Sequence, residues 1–144
     1  MRRPGHTLIE VLAALVVVAV VMSIGIYLGK RFVTTHNEQA YLQRVQSEWR
    51  SLQTQAEVEP QKIIMNFKAE ERCITLASGF TVVQTLDLPK GLLLTSSSQI
   101  EQAKGKKFAS PRVIYIHSRL GYAYRLAFEM GWGKLIVTKV VLAD

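Results

Sequence analysis

The sequence predicts an α+β chain: a long N-terminal helix packed on a small antiparallel β-domain. Three observations lead there. Residues 11–28 form a run of 18 residues without a formal charge. Apolar residues then recur at helical spacing as far as Pro60. After Pro60 the pattern changes to short apolar or β-branched runs separated by turn residues. A helix first and strands later imply an α+β architecture with an antiparallel sheet.

The uncharged run comes first. At ~1.5 Å rise per residue it spans roughly 27 Å, about the hydrocarbon core of a bilayer. It has no polar face to turn toward water, which favours a membrane span over a buried core helix. A secretory signal is the other reading of a basic start and an apolar stretch, and Ser23-Ile24-Gly25 would be its weak cleavage site. The run is too long for that, and Glu10 sits at its edge where such a signal is purely apolar.

Beyond the run, Tyr41/Leu42, Val45, Trp49, Leu52 and Ala56 recur every three or four residues with polar residues between them. That is an amphipathic helix with one apolar stripe. With Pro60 as the next breaker, the helix is expected over residues 7–58. The stripe is too short to lead as a coiled-coil seam.

Strands are expected at 62–67, 72–77, 80–85 and 92–95, then at 112–117, 122–128 and 134–142. Ser78-Gly79, Pro89-Lys90-Gly91 and Met130-Gly131-Trp132-Gly133 are the turn signals. Residues 96–107 are polar and read as a loop. The chain therefore divides into a short basic segment at 1–5, an apolar helix at 6–29, its amphipathic continuation at 30–59, and a β-rich domain at 60–144.

Charge is uneven along the chain. The net charge is +7, and residues 60–144 hold 12 Lys/Arg against 6 Asp/Glu. A basic distal region suits an acidic partner such as DNA or an anionic cell wall, although a solvated basic surface gives the same balance. The densest cluster is Lys104, Lys106, Lys107 and Arg112, with Phe108 among them and Arg119, Tyr122, Tyr124 and Arg125 following. Cations with interleaved aromatics suit sequence-independent DNA binding through phosphate contacts and base stacking. Tyrosines of the core would produce the same pattern.

Catalytic chemistry finds no support. His6, His36 and His117 are scattered, without metal-ligand spacing. Glu70-Glu71 is a charged turn, and Ser96-Ser97-Ser98 lacks a glycine elbow and a base. Cys73 is the single cysteine, so no intramolecular disulfide exists, and its apolar neighbours mark it as a small buried hydrophobe. No enzyme, cofactor or metal is expected.

The stretch Arg2-Arg3-Pro4-Gly5-His6-Thr7-Leu8-Ile9-Glu10, opening a long apolar helix, resembles the class III leader of type IV pilins and pseudopilins. The resemblance implies cleavage after Gly5 by prepilin peptidase on the cytoplasmic side, then methylation of the new His6 amino terminus. Glu10 becomes mature residue five, the glutamate that neutralises a neighbouring subunit's amino terminus during assembly. Two departures stand out. His6 replaces the usual phenylalanine, and Tyr27, between Gly25 and Gly29, stands where major pilins often have proline. The simpler reading of Glu10 is a headgroup carboxylate that complements the helix N-terminus.

Chain length, the Leu88-Pro89-Lys90-Gly91 turn and the closing strand–turn–strand near Gly131 are similar to the ComGD-type minor pseudopilins of Gram-positive competence pili. That likeness implies a filament subunit supporting DNA uptake in transformation. Its partners would be other pilins, prepilin peptidase, the membrane and DNA. It would sit as a single-pass protein with a cytoplasmic N-terminus, reaching the cell surface once assembled. A minor pseudopilin of a type II secretion system is the nearest rival. A single-pass anchored binding domain unrelated to filaments is the rival from another class.

Overall fold

The computed structural model describes residues 7–59, 61–102, 111–129 and 133–141. Two compact units divide the chain, Met1–His36 and Asn37–Asp144. Helix α1 covers Leu8–Val58, within one residue of the expected bounds.

In the first unit, the start of α1 has a local cause. Thr7 precedes the first helical residue and Glu10 is the third, the spacing of a capping box. The Thr7 carbonyl accepts from the amides of Glu10 at 3.0 Å and Val11 at 3.2 Å. Every residue from Leu8 to Val33 is exposed, so the apolar surface faces outward on all sides. Three hydroxyls within and after it bond back to the helix. Ser23 donates to the Ala19 carbonyl at 2.8 Å, Thr34 to Lys30 at 2.9 Å and Thr35 to Arg31 at 3.0 Å. Such back-bonding satisfies each hydroxyl within the helix itself.

In the second unit, eight strands follow: β1 (Ile63–Lys68), β2 (Cys73–Ser78), β3 (Thr81–Asp87), β4 (Leu92–Leu94), β5 (Ser98–Gln102), β6 (Arg112–Ser118), β7 (Tyr122–Phe128) and β8 (Leu135–Val141). They form two antiparallel sheets of four strands rather than one, ordered β3-β2-β1-β5 and β4-β6-β7-β8. We call them sheet A and sheet B. The expected loop at 96–107 contains β5, which pairs with β1 from Ile63↔Gln102 to Phe67↔Ser98. Sequence could not show this because only Ile100 in β5 points inward and is apolar. At the edge of sheet A, Leu76 pairs with Gln84 and Ala77 with Val82, which leaves Val83 as the extra residue of a bulge in β3.

One core joins the helix and both sheets. Leu42, Val45, Trp49 and Leu52 bury the predicted stripe, with Tyr41 and Ala56 packed at its margins. The Trp49 ring meets Phe128 of β7 edge-on at 5.7 Å between centroids, and Phe67 of β1 meets the same Phe128 at 6.5 Å. Polar ties fix the position of the helix. Trp49 Nε1 donates to the Gly133 carbonyl at 3.0 Å, Gln46 to the Leu135 carbonyl at 3.0 Å, and the Tyr41 hydroxyl to the Leu86 carbonyl at 3.0 Å. Burial, with smaller contributions from Cys73 and Asp87, raises the Tyr41 hydroxyl well above its usual range. Arg72 secures the crossing between sheets. Its carbonyl accepts from Leu88 N at 2.8 Å and its guanidinium donates to the Leu92 carbonyl at 3.3 Å. These bonds hold it at φ 51°, a left-handed conformation that costs a non-glycine residue roughly 1–2 kcal/mol.

Candidate functional site

The N-terminal segment is the first site to consider. Gly5 and His6, the expected cleavage pair, lie outside the described residues. Glu10 sits in the first turn of α1 on the exposed apolar surface. A carboxylate there favours the positive end of the helix and is costly deeper in hydrocarbon. The helix is long and apolar enough to cross a membrane.

A second carboxylate on the same helix was not anticipated. Glu38 lies four residues before Leu42, on the buried stripe, and is 0% exposed. It accepts three hydroxyls from sheet B and its turn. Ser118 donates at 2.9 Å, Tyr122 at 2.8 Å and Tyr124 at 3.4 Å. Lys139 of β8 places its ammonium 3.6 Å from the centre of the Tyr122 ring. A buried carboxylate persists only when its oxygens are satisfied, and these donors do so without a direct ion pair among the described residues. Burial pushes the Tyr124 hydroxyl well above the normal tyrosine range, helped by its bond to Tyr122 and by Glu38. The spacing 38-42-45-49 was the available signal, but charge alone made Glu38 read as a solvent residue.

This network removes Tyr122 and Tyr124 from any nucleic-acid surface: both are buried and hydrogen-bonded to Glu38. Of the basic cluster, Lys104, Lys106 and Lys107 lie outside the described residues. Arg112 is exposed at the start of β6. It pairs with buried Phe128, whereas Arg125 pairs with Tyr115, so strand parity places Arg112 and Arg125 on opposite faces of sheet B.

The remaining chemistry-bearing residues form no catalytic grouping among the described residues. Cys73 is buried and free, and burial followed by the charge of Glu71 raises its thiol, which is the opposite of an activated nucleophile. The Cys73 thiol donates weakly to Glu71 Oε2 at 3.9 Å, and Lys68 pairs with the same carboxylate at 2.9 Å. His117 is half-buried at the end of β6. Among the described residues no group of three or more His, Cys, Asp or Glu could hold a metal ion.

Comparison with known proteins bears on the N-terminus. No curated protein and no solved structure matches the chain. Residues 1–26 match the family described as the prokaryotic N-terminal methylation motif. That motif, opening an apolar helix long enough to span a membrane and followed by a helix-on-sheet head, supports a type IV pilin-like chain, and a signal of this class implies processing by prepilin peptidase.

Proposed function

We propose that the chain is a minor pseudopilin of a competence-type filament and supports DNA uptake during transformation. The observation that carries this reading is the methylation motif at residues 1–26 leading into a helix exposed and apolar on all sides. Such a surface suits lipid before assembly and other helices of the same kind after it. In this reading prepilin peptidase cuts between Gly5 and His6, and the His6 amine is methylated. Glu10 then neutralises the amino terminus of a neighbour in the filament. The likeness to ComGD-type subunits favours the competence system.

Mass spectrometry of the mature N-terminus tests the processing step. A chain beginning at methylated His6 is expected, and one beginning at Met1 or near Ile26 overturns the reading. Deletion of the protein should then abolish transformation and leave secretion of exoproteins intact. Loss of secretion instead would assign the subunit to a type II system. DNA contact would fall to Lys104, Lys106, Lys107 and Arg112. Neutralising all four should lower DNA binding by sheared filaments, with the salt slope falling by ~0.9 per lost phosphate contact. Unchanged binding would reduce the cluster to a solvated surface.

A further inference from the structure

Sheet B has a second face, turned away from α1, whose composition does not suit water. Strand parity and register define it. Across β6, β7 and β8, Val113 lies beside Ala127 and Ile136, and Tyr115 beside Arg125 and Thr138. At the far end His117 lies beside Ala123 and Val140, with Leu93 of β4 flanking His117. A sheet with one solvated face normally alternates apolar-in and polar-out. Here the outward positions are largely apolar, yet Val113 remains 41% exposed and Tyr115 48%. On β7 only Arg125 is exposed: Ala127 is half-buried and Ala123 is fully covered, so the accessible apolar part of the face is Leu93, Val113 and Tyr115, with Ile136 half-buried beside them.

Its charge narrows the choice of occupant. β4, β6, β7 and β8 contain no Asp or Glu. Arg125 is exposed at the centre of the face, and among the described residues it has no carboxylate partner. Three occupants can be compared. Nucleic acid needs several stacking rings and a track of cations, whereas this face offers Tyr115 and Arg125 amid aliphatic side chains. A second copy stacked by two-fold symmetry about the centre of the patch would set Arg125 against Arg125, and in any two-fold stacking of this face neither copy supplies a carboxylate from these strands to either arginine. A different protein with an apolar surface and a central carboxylate satisfies both the aliphatic rows and the arginine. Tyr and Arg within an apolar patch are also the residues that dominate protein–protein binding energy.

We infer that the outer face of sheet B docks a non-identical protein, through an apolar patch whose aspartate or glutamate meets Arg125. Three strands at ~4.8 Å spacing and ~3.4 Å per residue make a face of roughly 300–400 Å², about half of what a standard interface buries per partner. The contact therefore needs a second attachment. It rests on the filament reading in this respect, since packing between N-terminal helices of co-assembled subunits would supply that attachment.

The test uses the full chain in its own cells, with a photoreactive amino acid replacing Tyr115 and, as a control, Gln43 on the exposed side of α1. Irradiation should yield one heterologous adduct from position 115 and none from 43. Arg125→Glu should cut its yield at least about tenfold, as expected where a buried interfacial charge pair is broken. The mapped partner peptide should be apolar with one carboxylate nearby, and reversing that carboxylate to lysine should restore the adduct with Arg125→Glu. Adducts to a second copy or to nucleic acid overturn the inference, as does no adduct or one indifferent to Arg125→Glu. The mature N-terminus, read in the same cells, tests the filament reading separately: correct maturation without the adduct sinks only the docking face.

Discussion

The two halves of α1 share a backbone and almost nothing else. From Leu8 to Val33 every side chain is exposed, and over residues 11–28 the surface carries no charge and is apolar all round. From Asn37 onward only a stripe is apolar, and it is buried by the chain's own sheets. Each half carries an unusual glutamate. Glu10 is exposed on the apolar surface, whereas Glu38 is enclosed by three hydroxyls. The comparison teaches where each segment draws its free energy. The second half gains it by burial within one molecule. The first half buries no apolar side chain against its own fold, so its gain must come from lipid or from other chains.

The strongest way to break this contrast is Glu38→Ala. The change leaves buried hydroxyls without an acceptor, at roughly 1–3 kcal/mol each, and opens a small void. We expect a loss of about 4 kcal/mol, a large part of the 5–15 kcal/mol typical of a domain. Urea unfolding of the detergent-solubilised full chain, followed by near-UV circular dichroism, measures it. Glu38→Gln retains an acceptor oxygen and should cost about 1–2 kcal/mol. Equal stability for both variants would mean that the hydroxyls find other partners.

A smaller effect concerns alkaline pH. Tyr41 and Tyr124 have their hydroxyls raised above the ordinary value of 10.0, in both cases chiefly by burial. Above about pH 10 the unfolded chain releases these protons and the folded chain retains them. Rising pH therefore favours unfolding: stability is level below about pH 9 and falls from about pH 10 upward. Tyr41→Phe should flatten part of that fall, and a pH series of unfolding midpoints reads it directly.

Least of all should happen to the head when Glu10 becomes alanine. A change within ~0.5 kcal/mol is expected, as for an exposed position. The large consequence lies elsewhere. If Glu10 pairs with a neighbour's amino terminus as proposed, leaving that charge buried and unpaired would cost about 3–5 kcal/mol, and the variant should be cleaved, stay in the membrane and be missing from sheared filaments. Wild-type recovery in sheared filaments would end the pairing role of Glu10.

Much of this organisation was legible in advance. Helix limits followed from Thr7 and Pro60, and the stripe followed from the spacing of Leu42, Val45, Trp49 and Leu52. Strands β1–β3 and β6–β8 announced themselves by β-branched runs between turns. What escaped was non-local. β5 exists because β1 offers it an edge, not because Ser98–Gln102 resembles a strand. Alternation identifies the inward face of a strand but not its sheet, so the split into two sheets was invisible. Glu38 meets donors 80 to 86 residues away, and no local pattern links them. The same distance hid the fate of Tyr122 and Tyr124, whose aromatic character alone suggested a stacking role.

The bulge in β3 has a consequence for how such a chain stays out of trouble. Residues 80–86 read Phe-Thr-Val-Val-Gln-Thr-Leu, without charge, proline or glycine, and they lie at the open edge of sheet A. Segments of this kind, if flat and regular, zip identical strands into cross-β stacks. Val83 interrupts the ladder at mid-strand and twists the edge, so a second strand cannot run along it in register. That single supernumerary residue therefore disfavours edge-to-edge pairing of β3 between copies.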